Sequence, residues 1–104
     1  MQTNKPNETT LSLCIPRLSM DIKEQFIRQT FNKLNLGKIG KIDLIVKRND
    51  NGTNFKRAFI HYISWNNNEN ALYVKSRLDN DKDIKVVYDE PWYWKVSLNR
   101  TLTR

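Results

Sequence analysis

An α+β domain, one antiparallel sheet with two helices on one of its faces, is the fold class this sequence predicts. Three observations carry it. Short runs alternate apolar and polar residues, as half-buried strands do. Two longer runs repeat their apolar residues at helical spacing. The two kinds of run follow one another as strand, helix, strand, strand, helix, strand, with one short extra strand before the last. That order is the split βαβ arrangement, with both helices on one face and the other face open.

The elements justify themselves in turn. Met1–Thr10 holds Asn, Pro and Thr without periodicity and reads as a flexible N-terminal tail over 1–10. Leu11–Ile15 is the first strand, with Leu11, Leu13 and Ile15 on one parity, and Pro16, lacking an amide donor, is expected to end it. Asp21 opens the first helix, because Asp21-Ile22-Lys23-Glu24 has capping-box spacing. Ile22, Phe26, Ile27, Thr30, Phe31 and Leu34 form its buried stripe, and Gly37 is placed to terminate it. Ile39–Lys47 is the second strand, Asn49-Asp50-Asn51-Gly52 a turn, and Phe55–Ile63 the third strand. The second helix covers Asn66–Asn80, with caps available at Asn66, Asn67 and Asn68 and an inner stripe of Ala71, Val74 and Leu78. Ile84–Tyr88 is the short extra strand, Asp89-Glu90-Pro91 a turn, and Trp92–Asn99 the last strand. Trp92, Trp94, Val96 and Leu98 share one parity of that strand, so both tryptophans are expected in core or hairpin packing. A domain over 11–99 and a basic tail over 100–104 complete the organisation.

Composition narrows the function classes. A chain of 104 residues makes one small domain with a single core and little room for an enclosed active site. The formal charge of +7 favours polyanionic partners. One cysteine, Cys14, excludes an internal disulfide, and no Cys/His cluster suggests a metal, so no metal and no cofactor are expected. There is no apolar run long enough to cross a membrane and no secretory leader, which predicts an intracellular protein, cytoplasmic or nuclear, and no membrane partner. Three Asn-x-Thr sequons, at Asn7, Asn51 and Asn99, read as chance in an asparagine-rich chain.

The candidate site follows from Phe55–Tyr62. Lys56, Ala58, Ile60 and Tyr62 suit packing under helices; Phe55, Arg57, Phe59 and His61 point the other way and mix rings with cations. A surface of that kind holds something flat and anionic, which is a single-stranded nucleic acid. Tyr93 and Lys95 on the last strand are expected on the same surface, beside Lys47, His61 and Ser97, offset by one acid, Asp43. Lys47, Arg48 and Lys56 flank the turn and supply phosphate contacts.

Phe55-Lys56-Arg57-Ala58-Phe59-Ile60-His61-Tyr62 resembles the octapeptide of the RNA recognition motif (RRM) family, Lys/Arg-Gly-Phe/Tyr-Gly/Ala-Phe-Val-x-Phe/Tyr. Ala58–Tyr62 matches, while Phe55, Lys56 and Arg57 depart from it. Leu13-Cys14-Ile15-Pro16-Arg17-Leu18 is similar to the family's hexapeptide, with Cys14 where a stacking aromatic is expected and Arg17 in place of Asn. The resemblance covers roughly Leu11 to Asn99 and implies a degenerate RRM with a four-stranded, ferredoxin-like βαββαβ sheet. It maps the family's three stacking positions onto Cys14, Arg57 and Phe59, and Phe55 shares their parity and is available as a second ring. The segment Trp92–Arg100 looks like the ends of small RRM-like proteins of large DNA viruses, which implies a viral protein acting in a host cell.

The function expected is a noncatalytic module for single-stranded RNA, with single-stranded DNA as a variant. RNA contacts are assigned to Phe55, Arg57, Phe59, His61, Cys14, Lys47, Arg48, Lys56, Tyr93 and Lys95. The competing reading is a protein-interaction or homodimerising domain that has lost base recognition. Catalysis is not expected. Small phosphatases resembling acylphosphatase share the element order and hold phosphate in the loop after the first strand. Here Ile15–Met20 offers Arg17 but no glycine-rich amide cradle, and His61 has no catalytic partner recognisable in the sequence.

Overall fold

A computed structural model describes residues 11–99; the tails expected over 1–10 and 100–104 lie outside the described residues. The elements run β1 (Ser12–Leu18), α1 (Glu24–Leu34), β2 (Gly37–Arg48), β3 (Asn54–Trp65), α2 (Glu69–Asp79), β4 (Ile84–Asp89) and β5 (Trp92–Leu98). All strand pairs are antiparallel. The expected four-stranded ferredoxin-like sheet is not what forms. The sheet has five strands in the order β2-β3-β1-β5-β4. The reason lies in β4. Its register with β5 runs from Ile84 opposite Val96 to Asp89 opposite Trp92, and Ile84 and Val86 both enter the core. A strand that fills the core and pairs along its length is a full edge strand, not an appendage to a turn.

Parity decides what each face holds. Leu13 and Ile15 of β1, Ile42 of β2, Ala58, Ile60 and Tyr62 of β3, Ile84 and Val86 of β4, and Trp94 and Val96 of β5 are buried on one side. Ile27 and Phe31 of α1 and Ala71, Val74 and Leu78 of α2 complete that core. An aromatic group ties α1 to the β4–β5 hairpin: Phe31 stacks on Trp94 with ring centres 6.3 Å apart, and Tyr88 stacks on the same indole at 4.5 Å. Among the described residues the other side of the sheet carries no helix, and it is the open face.

Several local expectations are corrected. Pro16 does not end β1; the strand continues to Leu18 through an irregularity in register between Ile15 and Leu18, which absorbs the missing amide. Asp21 does not cap α1. Its carboxylate accepts from the Ser19 hydroxyl at 2.6 Å, and the helix starts after Lys23 without a side-chain cap. Gly37 does not terminate α1 either. Asn35 takes the left-handed conformation at the helix end (φ 55°), and Gly37 opens β2, where any Cβ would collide with the Ser64 carbonyl. Asn68 is the cap of α2, accepting from the Ala71 amide at 2.8 Å. Trp94 is buried as expected, but Trp92, expected in packing, is 62% exposed at the hairpin end.

Candidate nucleic-acid interface

The open face is built around Phe59. β3 is flanked by β1 and β2, so Phe59 lies opposite Cys14 on one side and Asp43 on the other. Arg57 and His61 precede and follow it on the same face of β3, as the two-residue period of a strand requires. Lys47 lies opposite Phe55, and Ile45 opposite Arg57. Beyond β1, Ser97 lies opposite Cys14, and Lys95 and Tyr93 continue the surface along β5. Lys85 and Val87 of β4 complete it, opposite Lys95 and Tyr93.

Eight of the residues expected at the site therefore share this face: Cys14, Lys47, Phe55, Arg57, Phe59, His61, Tyr93 and Lys95. The other two do not. Lys56 has the parity of Ala58 and Ile60, and its ammonium donates to the Ile22 carbonyl at 2.8 Å on the helix side. Arg48 shares that parity opposite Asn54 and donates to the Asn54 side chain at 3.4 Å. Proximity in sequence groups these turn cations with Lys47, and strand alternation separates them from it.

The two rings of β3 differ in availability. The Arg17 guanidinium sits over Phe55, 4.1 Å from the ring centre, and donates to the Asn49 side chain at 3.2 Å. One face of Phe55 is thus taken, and Arg17 presents its own plane in that place. Phe59 has no such cover among the described residues. Arg57 donates through Nε to the Pro16 carbonyl at 3.3 Å, which leaves the outer N–H groups of its fork for a ligand. Cys14 is not a poised thiolate: partial burial pushes its thiol pKa up, against a smaller opposing pull from Arg57.

Two features escaped the sequence. Lys85 and Lys95 stand directly opposite each other on adjacent strands, a like-charge pair that repels. Lys85 leans over the Tyr93 ring at 4.9 Å and Lys95 reaches the Asp83 carboxylate at 3.6 Å. The second is a relay across three strands. The Asp43 carboxylate lies 3.0 Å from His61 Nε2, and the Ser12 hydroxyl 2.7 Å from His61 Nδ1. A carboxylate only accepts, so Nε2–H donates to Asp43, and in the neutral ring Nδ1 accepts from Ser12. The His61 hydrogen bond holds the Asp43 carboxyl below its ordinary pKa, with Lys41, 3.6 Å away, adding to the effect.

Serine, histidine and aspartate in sequence of contact is the arrangement of an activated nucleophile. Here Ser12 is 3% exposed within the sheet, and its carbonyl accepts from the Asn99 amide in the ladder. With that hydroxyl covered, the relay holds an imidazole and a carboxylate beside Phe59. No group of three or more metal-ligating side chains occurs among the described residues. Nor is any helix among them long and apolar enough to cross a membrane.

A concavity borders this face. It is a groove of 720 Å³ between α2 and the edge strand β4, with Tyr73, Val74, Arg77 and Ile84 in its lining, and Lys85 and Lys95 as well. Arg77 is spent there on the Asp83 carbonyl, at 2.8 and 3.1 Å.

No family model, no curated protein and no solved structure matches this chain.

Proposed function

We propose that the chain is a noncatalytic module that holds single-stranded RNA across the open face of its sheet. One observation carries this: Phe59, a ring free of cationic cover at the middle of the sheet, stands between cations that reach both ways along the surface. A base stacks on Phe59, and Arg57 clamps it or the adjoining phosphate. Lys47 at one end and the Lys85–Lys95 pair at the other take backbone phosphates, and a phosphate between those two lysines removes their mutual repulsion. Ala58–Tyr62 then does the work that the RRM octapeptide does, and the relation to that family and the intracellular location belong to the same proposal. Single-stranded DNA is its variant, since stacking and phosphate pairing use no 2′-hydroxyl.

The test is fluorescence anisotropy with a labelled mixed-sequence RNA decamer. If three or four phosphates are paired, raising salt from about 50 to 200 mM weakens binding roughly twenty- to fiftyfold. A competing reading is favoured by the exposed Ile45, Val87 and Tyr93, which would anchor a protein on the same surface. It predicts no RNA binding even at low salt.

A further inference from the structure

We propose that Asp43 makes the Phe59 site selective for guanine. Asp43 lies directly opposite Phe59 on the neighbouring strand, with its side chain 42% exposed. Directly opposed side chains sit about 5 Å apart at Cβ, so the edge of a base lying on Phe59 comes within reach of the carboxylate. An acid in the middle of a phosphate-binding face works against affinity by Coulomb repulsion. What it can return is hydrogen bonding to the base.

Its orientation is set from behind. His61 Nε2 holds one carboxylate oxygen, and the buried Ser12 hydroxyl holds His61 at Nδ1. With Lys41 at the other oxygen, each oxygen still has a free lone-pair direction. The group left for a ligand is therefore a fixed pair of acceptors and no donor.

Among the four bases, only guanine matches a pure acceptor pair on its Watson–Crick edge. There N1–H and the N2 amino group stand side by side as donors. Adenine and cytosine each place a ring-nitrogen acceptor next to their amino group, and uracil flanks its single N–H with two carbonyls; each turns an acceptor toward the carboxylate. Guanine's other edge carries N7 and O6, both acceptors, which suit the free N–H groups of Arg57. Arg57 donates to the Pro16 carbonyl rather than to Asp43, so donor and acceptor remain available separately around the ring. In this scheme Asp43 reads the base, and His61 and Ser12 are positioning residues.

The inference rests on the proposed RNA-binding face, and its test separates the two. The probes are four labelled RNA heptamers: seven uridines, and the same strand with guanosine, adenosine or cytidine at its centre. The wild type should bind the guanosine heptamer about tenfold more tightly than the other three, as one bidentate contact allows. Asp43→Asn, which presents one acceptor and one donor, should bring the four within about twofold of one another and tighten binding of the all-uridine strand, because a repelling charge is lost. Ser12→Ala should reduce the guanosine preference while leaving all-uridine binding unchanged, an effect that loss of fold would not give. Equal binding of all four heptamers by the wild type, with the affinity still dependent on Phe59, overturns the inference and leaves the RNA-binding face standing. No binding of any heptamer at low salt overturns both.

Discussion

Phe59→Ala should weaken the binding of single-stranded RNA by about 5- to 150-fold, a loss of about 1–3 kcal/mol, as measured for base-stacking aromatics. The site explains why the effect concentrates on one ring. Cys14 occupies the neighbouring position on β1 with a small side chain, and the Phe55 ring already carries Arg17. Removing Phe59 leaves the cations in place, so residual binding should be salt-dependent and weak. The substitution should do little to the fold, because Phe59 faces away from the two helices and only partly escapes solvent. A thermal melt of the variant should superimpose on that of the wild type to within a few degrees. That separation is measurable, since anisotropy reports the loss and circular dichroism reports the intact domain.

Phe31→Ala should do the opposite. Phe31 is 1% exposed on α1, at the centre of the contact between that helix and the β4–β5 hairpin. Its ring stacks on Trp94 with planes 7° apart, and the same indole is stacked by Tyr88 and met edge-on by Phe26. Truncation removes the transfer energy of the ring and leaves a cavity that a rigid aromatic group closes poorly, a loss of about 3–5 kcal/mol. Domains of this size are stable by only about 5–15 kcal/mol, so roughly a fifth or more of the total is at stake. In urea titration the midpoint should fall by about 1.5–3.3 M at unchanged slope, taking a slope near 1.5–2 kcal/mol per molar. RNA affinity measured below the transition should be retained, since none of the four rings lies on the open face. A midpoint shift under about 0.5 M would mean that α1 is not anchored through Trp94.

The elements of this fold were legible in the sequence; its sheet order and much of its site were not. Alternation in Phe55–Ile63 assigns Ala58, Ile60 and Tyr62 to the core, and the structure buries all three. The helix stripes are buried at Ile27, Phe31, Ala71, Val74 and Leu78, whereas Phe26 of the expected stripe is 37% exposed and Ile22 precedes the helix. Ile84–Tyr88 reads in the sequence as a short extra strand, because length alone does not say which neighbour a strand takes. Its pairing with β5 is a tertiary fact, and that pairing makes a five-stranded sheet. The same limit hid the relay. Ser12, Asp43 and His61 are 49 and 18 residues apart along the chain and meet only through the registers of β1 and β2 with β3. Lys56 and Arg48 leave the open face for a different reason: they lie beside Arg57 and Lys47 in sequence, and strand alternation puts such neighbours on opposite faces. Asp21 shows a local competition: a capping residue by spacing, it is engaged by Ser19 first.

On the proposed function the open face, rather than the α2–β4 groove, receives a single strand of RNA. The most direct test is amide chemical-shift mapping of ¹⁵N-labelled protein titrated with a mixed-sequence RNA decamer at low salt. The largest shifts should fall on Cys14, Asp43, Arg57, Phe59 and Tyr93, across β1, β2, β3 and β5. Shifts confined to Tyr73, Val74, Arg77 and Ile84, or a spectrum that does not move, would contradict it.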